Sequence, residues 1–205
     1  LDTTAAGDVW DHGFTYGEGR ATAYAGVNAS TAANNKTVNW SLPSFVDGVA
    51  MAVSYTAGHL NTESTAAFGL TYTGIEGLTA YYGSGEDGEI GARADITTMG
   101  ASYAMGSFTA AVSQLESDSV SGSDEELTSF KLSYTVTDDL SVSYGEETHE
   151  TAGSSVDEEF ESISVSYTTG GMTITASNNE AAGLGNTSGS ASEQTRWKLG
   201  ASFAF

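Results

Sequence analysis

The sequence predicts an all-β chain: the wall of an antiparallel transmembrane β-barrel, with about eleven strands in these 205 residues. Three observations predict it. Apolar residues recur at every second position over most of the chain, the connections alternate between short and long, and aromatic residues gather near strand ends. Side chains alternate across a strand, so a sustained period of two marks one face as apolar and the other as polar.

The strands follow in order from Lys36. Their apolar sets are Val38/Trp40/Leu42, Met51/Val53/Tyr55, Phe68/Leu70/Tyr72, Leu78/Ala80/Tyr82, Met99/Ala101/Tyr103 and Phe108/Ala110/Val112. Phe130/Leu132/Tyr134, Leu140/Val142/Tyr144, Ile163/Val165/Tyr167 and Met172/Ile174/Ala176 continue the series. The last segment, Arg196 to Phe205, places Trp197, Leu199, Ala201, Phe203 and Phe205 on one side. Intervening positions are small and polar, as in Ser141, Ser143, Ser162, Ser164, Ser166, Thr173, Thr175 and Ser177. That polar set is expected to leave an aqueous bore open. Lys131, Arg196 and Lys198 share its phase and are expected on the lumen wall, since a basic side chain facing lipid at mid-depth costs about 2–4 kcal/mol.

Tight turns are expected at residues 73–77, 105–107, 136–139 and 168–171. Longer, mostly acidic loops are expected at 56–67, 83–93, 116–125, 146–158 and 178–193. Sorting of short and long connections to opposite ends is the habit of a membrane barrel. Tyr72, Tyr103, Tyr134, Tyr167 and Phe205 lie beside short turns or the terminus, and the first three recur at intervals of 31 residues. They form the expected aromatic belt, with Tyr55, Tyr82, Tyr144 and Trp197 toward the other side. Cross-strand aromatic pairing in a soluble sheet is the alternative reading. Its exposed apolar face would then be an aggregation liability.

Composition narrows the function. With no cysteine, thiol catalysis, disulfide scaffolds and Cys-based zinc sites are excluded. Six basic residues against 27 acidic ones give a net charge of −21, and the basic residues do not cluster, so nucleic acid is not an expected partner. Gly83-Ser-Gly-Glu-Asp-Gly88 has the spacing of a dinucleotide loop. Glu86, Asp87 and Glu89 would repel a pyrophosphate and no helix follows, so it reads as an ordinary loop. His12, His59 and His149 all fall outside the confident strands, and no catalytic constellation is expected. The acidic loops around Glu116, Asp118, Asp124 and Glu125, and around Asp157 to Glu159, lack the ligand order of an EF-hand. They are expected to be solvated. The metal alternative is structural calcium or magnesium, bridging carboxylates to lipopolysaccharide phosphates.

Residues 1–35 carry no sustained alternation; they mix Asp2, Asp8, Asp11 and Glu18 with Trp10, Phe14, Tyr16 and several glycines. The next stretch, from Asn34 to Tyr55, contains Pro43, Phe45, Gly48 and Tyr55 in a strand, Pro-x-Phe-x-x-Gly turn, strand arrangement. This resembles a general bacterial porin of the Gram-negative, alphaproteobacterial-like kind, just after its constriction loop, and the terminal Phe205 is similar to the family's last strand. The resemblance implies a barrel of about sixteen strands around an aqueous channel. Residues 36–205 would supply strands six to sixteen and residues 1–35 the inward-folded loop. It further implies an integral outer-membrane protein with no enzymatic activity, assembled as a homotrimer, passing small hydrophilic solutes and ions by passive diffusion. Asp2, Asp8, Asp11, Glu18 and Arg20 would line the constriction, and the acidic excess implies weak cation selectivity. No cofactor is expected. The competing architecture counts 21–27 as a strand, closes twelve strands on themselves, and serves as a substrate-specific channel or surface adhesin.

Overall fold

The computed structural model describes residues 37–58, 63–87 and 93–204. They form one antiparallel sheet of eleven strands in strict sequence order. The strands are β1 (Thr37–Ser41), β2 (Val49–Thr56), β3 (Thr65–Tyr72), β4 (Leu78–Asp87), β5 (Ala94–Met105) and β6 (Phe108–Ser119). Then come β7 (Glu125–Thr137), β8 (Leu140–Thr151), β9 (Glu158–Thr169), β10 (Met172–Ala182) and β11 (Gln194–Phe203). Each inner strand bonds to its two neighbours in sequence, and the sheet does not close among the described residues.

The period of two is realised in the burial. In β9, Glu158, Phe160 and Ser162 are buried while Glu159, Glu161 and Ile163 are exposed. In β7 the same alternation runs from Leu127 to Phe130. Cross-strand pairing carries this phase across the sheet, so the predicted apolar set occupies one exposed face. Phe130, Leu132, Tyr134, Ile163, Val165, Tyr167 and Leu199 are all on it. Aromatics meet there: Phe108 and Tyr134, paired in register, hold their rings 4.5 Å apart, and Phe68 lies 5.6 Å from Tyr82. Such pairs add fractions of a kcal/mol to about 1 kcal/mol beyond burial.

One end of the sheet is finished by tight turns. A residue at or just past the end of a strand there donates to the preceding turn: Thr73 N–H to Gly48 O, Ala104 to Gly77, Thr135 to Ser107, Thr168 to Asp139 and Ala204 to Gly171, at 2.6–2.8 Å. Every pair of adjacent turns is stitched the same way. At the other end lie the connections 120–124, 152–157 and 183–193, of which the last is the longest, with matching bonds from Val120 N–H to Arg93 O and Ala152 N–H to Asp124 O.

The strands run further toward this second end than the alternation of apolar residues suggests. Residues 83–87, 116–119, 146–151 and 178–182, expected in loops, are β-strand. The hydrogen-bond ladder continues past the apolar band, where outward positions turn acidic and the sequence imitates a loop. His149 is accordingly within β8 and buried. The Gly-rich Gly83-Ser-Gly-Glu-Asp87 run is strand as well. Gly85 faces Ala67, whose Cβ would lie 2.6 Å from any Cβ placed at position 85, so close approach explains the glycine better than a turn does.

Candidate functional site

The sheltered face is built from the small polar set. Register places Lys131, Gly145, Ser162, Asn179 and Arg196 side by side in one row across β7 to β11. The next row toward the tight turns is Ser133, Ser143, Ser164, Ser177 and Lys198. Lys131 and Lys198 are half-buried and Arg196 is exposed. The two rows thus carry a basic residue at each flank of the upper row and one at an end of the lower row. Between them, hydroxyls and an amide bond to one another: Ser143 Oγ to Ser164 Oγ at 2.6 Å, Ser162 Oγ–H to Asn179 Oδ1 at 2.7 Å, and Asn179 Nδ2–H to Ser177 Oγ at 3.2 Å. Thr168 and Thr173 pair at 3.0 Å nearer the turns. Short side chains that satisfy one another leave space in front of the wall and offer donors and acceptors to water.

Toward the long-connection rim the same face changes character. Ile96, Leu115 and Leu127 form a buried apolar cluster, with Phe160 buried on the same face. The expectation of a small, polar inner set throughout is corrected here. A signal existed: Leu115 and Leu127 stand in the opposite phase from Val112 and Phe130 of their own strands.

Beside that cluster lies a group of acids. His149 is 0 % exposed, with Nδ1 2.8 Å from Glu158 Oε2 and Nε2 3.9 Å from Glu125 Oε1. Glu158, 2 % exposed, also accepts the Gly185 backbone N–H through Oε1 at 2.7 Å. Glu147, equally buried, accepts Ser129 Oγ–H at 3.1 Å.

The exposed face carries its own acids above the apolar band. Glu146, Glu161 and Glu180 oppose one another directly across β8, β9 and β10. Glu116, Glu126 and Glu150 do so across β6 to β8, and Glu86, Asp95 and Asp118 across β4 to β6. Gln114 Nε2–H donates to both Glu126 and Glu116, Asn178 Nδ2–H to Glu180, and Tyr144 O–H to Glu146. Glu146, Glu159, Glu161, Glu180 and Glu193 line a depression of about 450 Å³. Arg93 pairs with Glu63 and Glu86 at this rim. The carboxylates grouped by sequence as metal candidates divide between the faces, with Glu125 and Glu158 on the sheltered side and Glu116, Asp118 and Glu159 on the exposed one. Among the described residues, no three acidic or histidine side chains converge as ligands for a metal ion.

Of the expected belt, Tyr103, Tyr134 and Tyr167 are exposed on the apolar face and Tyr72 is half-buried at the end of β3, each close to a tight turn. Phe205, the constriction residues Asp2, Asp8, Asp11, Glu18 and Arg20, and the alternative strand 21–27 lie outside the described residues, as do His12 and His59.

No protein-family model and no curated protein sequence matches the chain. Solved structures do. The chain resembles the anion-selective porin from Comamonas acidovorans with a TM-score of 0.60 at 13 % identity, covering 71 % of this chain and 48 % of that one. A loop L8 deletion mutant of OmpT, an outer-membrane protein of Vibrio cholerae, superimposes with a TM-score of 0.60 at 18 % identity, covering 96 % and 71 %. A porin refined at 1.8 Å superimposes with a TM-score of 0.64 at 12 % identity, covering 82 % and 61 %. The chain spans about half the length of the Comamonas porin and about three fifths of the refined porin. At these identities the likeness establishes the fold: the eleven strands have the architecture of a bacterial outer-membrane porin barrel wall.

Proposed function

We propose that this chain walls an aqueous diffusion channel of the bacterial outer membrane, passing small hydrophilic solutes and ions without chemistry. The observation that carries the reading is the division of one sheet into two unlike faces. An apolar face is exposed across most of the strands, and a hydroxyl-lined face with Lys131, Arg196 and Lys198 is turned away from it. A bilayer needs the first and a water-filled bore needs the second. Assembly as a homotrimer and contact with lipopolysaccharide through metal-bridged rim carboxylates belong to the same reading.

Weak cation selectivity is the finer part of the proposal. It is supported by the net charge of −21 and by the carboxylate rows at the rim, which raise local cation concentration at the entrance. Asp2, Asp8, Asp11 and Glu18, facing Arg20, are proposed to extend that field into the constriction. The Comamonas neighbour, an anion-selective porin, has the same fold, so selectivity follows from charge placement and not from architecture. The test is the reversal potential of the full-length protein in planar bilayers under a KCl gradient. A cation preference that fades in 1 M salt, where screening shortens to roughly 3 Å, is expected. An anion preference would overturn the charge assignment, and absence of steps in conductance would overturn the channel itself.

A further inference from the structure

We propose that the β10–β11 connection, residues 183–193, is a strap latched to the sheltered side of the rim by Glu158, and that the latch governs how often the strap obstructs the mouth. The mouth here means the end of the sheet bearing the long connections. The obstruction half of this proposal rests on the channel reading; the latch half does not.

The strap is a body of its own. Leu184 N–H bonds to Ser192 O at 3.1 Å, and Thr187 N–H to Gly183 O at 3.3 Å. Thr187 Oγ–H donates to Leu184 O at 2.9 Å, and Ser192 donates to Gly189 O through its N–H and its hydroxyl. Such a unit moves as a piece. Its tethers to other strands are few and specific. The Gly185 N–H meets Glu158 of β9 at 2.7 Å, and Asn186 Nδ2–H meets Thr151 of β8 at 3.3 Å. Gly183 seats the strap's first residue against the β8–β9 connection: a Cβ there would lie 1.9 Å from Asp157 O. The strap therefore reaches back over β9 to the end of β8 instead of standing clear of the sheet.

Glu158 is suited to hold it. It faces the sheltered side in register with His149 and divides its two oxygens between His149 Nδ1 and the strap's N–H. A buried carboxylate bound to a backbone N–H makes a charge-assisted bond, about twice as strong as a neutral one. His149, which has Glu125 near its far nitrogen, keeps the carboxylate aimed at the strap. Glu158 holds the strap against the sheltered side, so the space the strap enters on release is the one in front of that face.

The test uses the full-length protein with Glu158→Ala, and Glu158→Gln as a variant that keeps an acceptor oxygen. Single-channel records should show interruptions several-fold more frequent in Glu158→Ala than in the wild type, with Glu158→Gln between them. A readout free of conduction is Ser192→Cys, at a buried strap position in a sequence that has no other cysteine among its 205 residues, reacted with a bulky maleimide. Its labelling rate should rise several-fold when Glu158→Ala is added, and less with Glu158→Gln. Unchanged labelling overturns the latch even if the channel conducts normally. Raised labelling with unchanged interruptions overturns the obstruction. Raised labelling in a protein that never conducts keeps the latch and overturns the channel reading. Should Glu158→Ala fail to assemble, the Glu158→Gln comparison decides by the same criteria.

Discussion

Glu161 stands between two like charges, and its removal should stabilise the protein. It faces Glu146 on β8 and Glu180 on β10, whereas Glu180 faces Glu161 on one side and Thr195 on the other. Directly opposed side chains have Cβ atoms roughly 5 Å apart. Two unit charges at that separation repel by about 0.8 kcal/mol in water, and screening at 0.1 M salt leaves roughly 0.5 kcal/mol. Glu161→Gln relieves two such terms and Glu180→Gln relieves one. The expected gains are thus about 1 and about 0.5 kcal/mol, and the double variant should gain little beyond Glu161→Gln, since the Glu161–Glu180 repulsion is removed once by either. Equilibrium urea unfolding from short-chain phosphocholine vesicles, with a chelator present and the m-value unchanged, measures both. In 1 M salt both gains should fall to a few tenths of a kcal/mol or below. If Glu161→Gln gained no more than Glu180→Gln, or kept its gain in 1 M salt, the ladder would not be a set of interacting charges and the register placing it there would be in question.

Leu132→Arg should impair assembly by about 2–4 kcal/mol if its face meets lipid at mid-depth, whereas Ser133→Arg on the opposite face should assemble normally and change conductance; equal assembly of the two would reverse the face assignment. Ser107→Cys, in a tight turn, and Ser121→Cys, in the 120–124 connection at the opposite end, report orientation through a thiol reagent that cannot cross the membrane. On intact cells Ser121→Cys should label and Ser107→Cys should not, and the opposite pattern would invert the topology.

The strand phase was legible because it is repetitive. Met99, Ala101 and Tyr103 leave little doubt which face they share, and the pairing of Tyr103 with Leu78 and Ala110 follows from it. Strand ends near the mouth were illegible for a physical reason. Past Tyr144 the outward positions are Glu146, Thr148 and Glu150, so the contrast that marks a strand disappears although the ladder continues to Thr151. The rim cluster was hidden by the same effect. His149 looked like a loop residue, and only the register that sets it against Glu158 shows it buried. Lys131, Arg196 and Lys198 were readable as one phase, but their sharing of two adjacent rows depends on the offsets between four strand pairs, which no local pattern encodes.

The stitches between successive tight turns carry a consequence for how such a wall is built and altered. Among the described residues each strand bonds only to its neighbours in sequence and each turn is tied to the adjacent turns, so a hairpin there is specified by itself and its two borders. Growth can proceed by docking one hairpin after another, with loop-closure entropy paid over short stretches of chain. The 31-residue interval between Tyr72, Tyr103 and Tyr134 is then a unit of construction. Duplicating or excising one such unit would leave the register within every other hairpin as it is and change the number of strands in the wall.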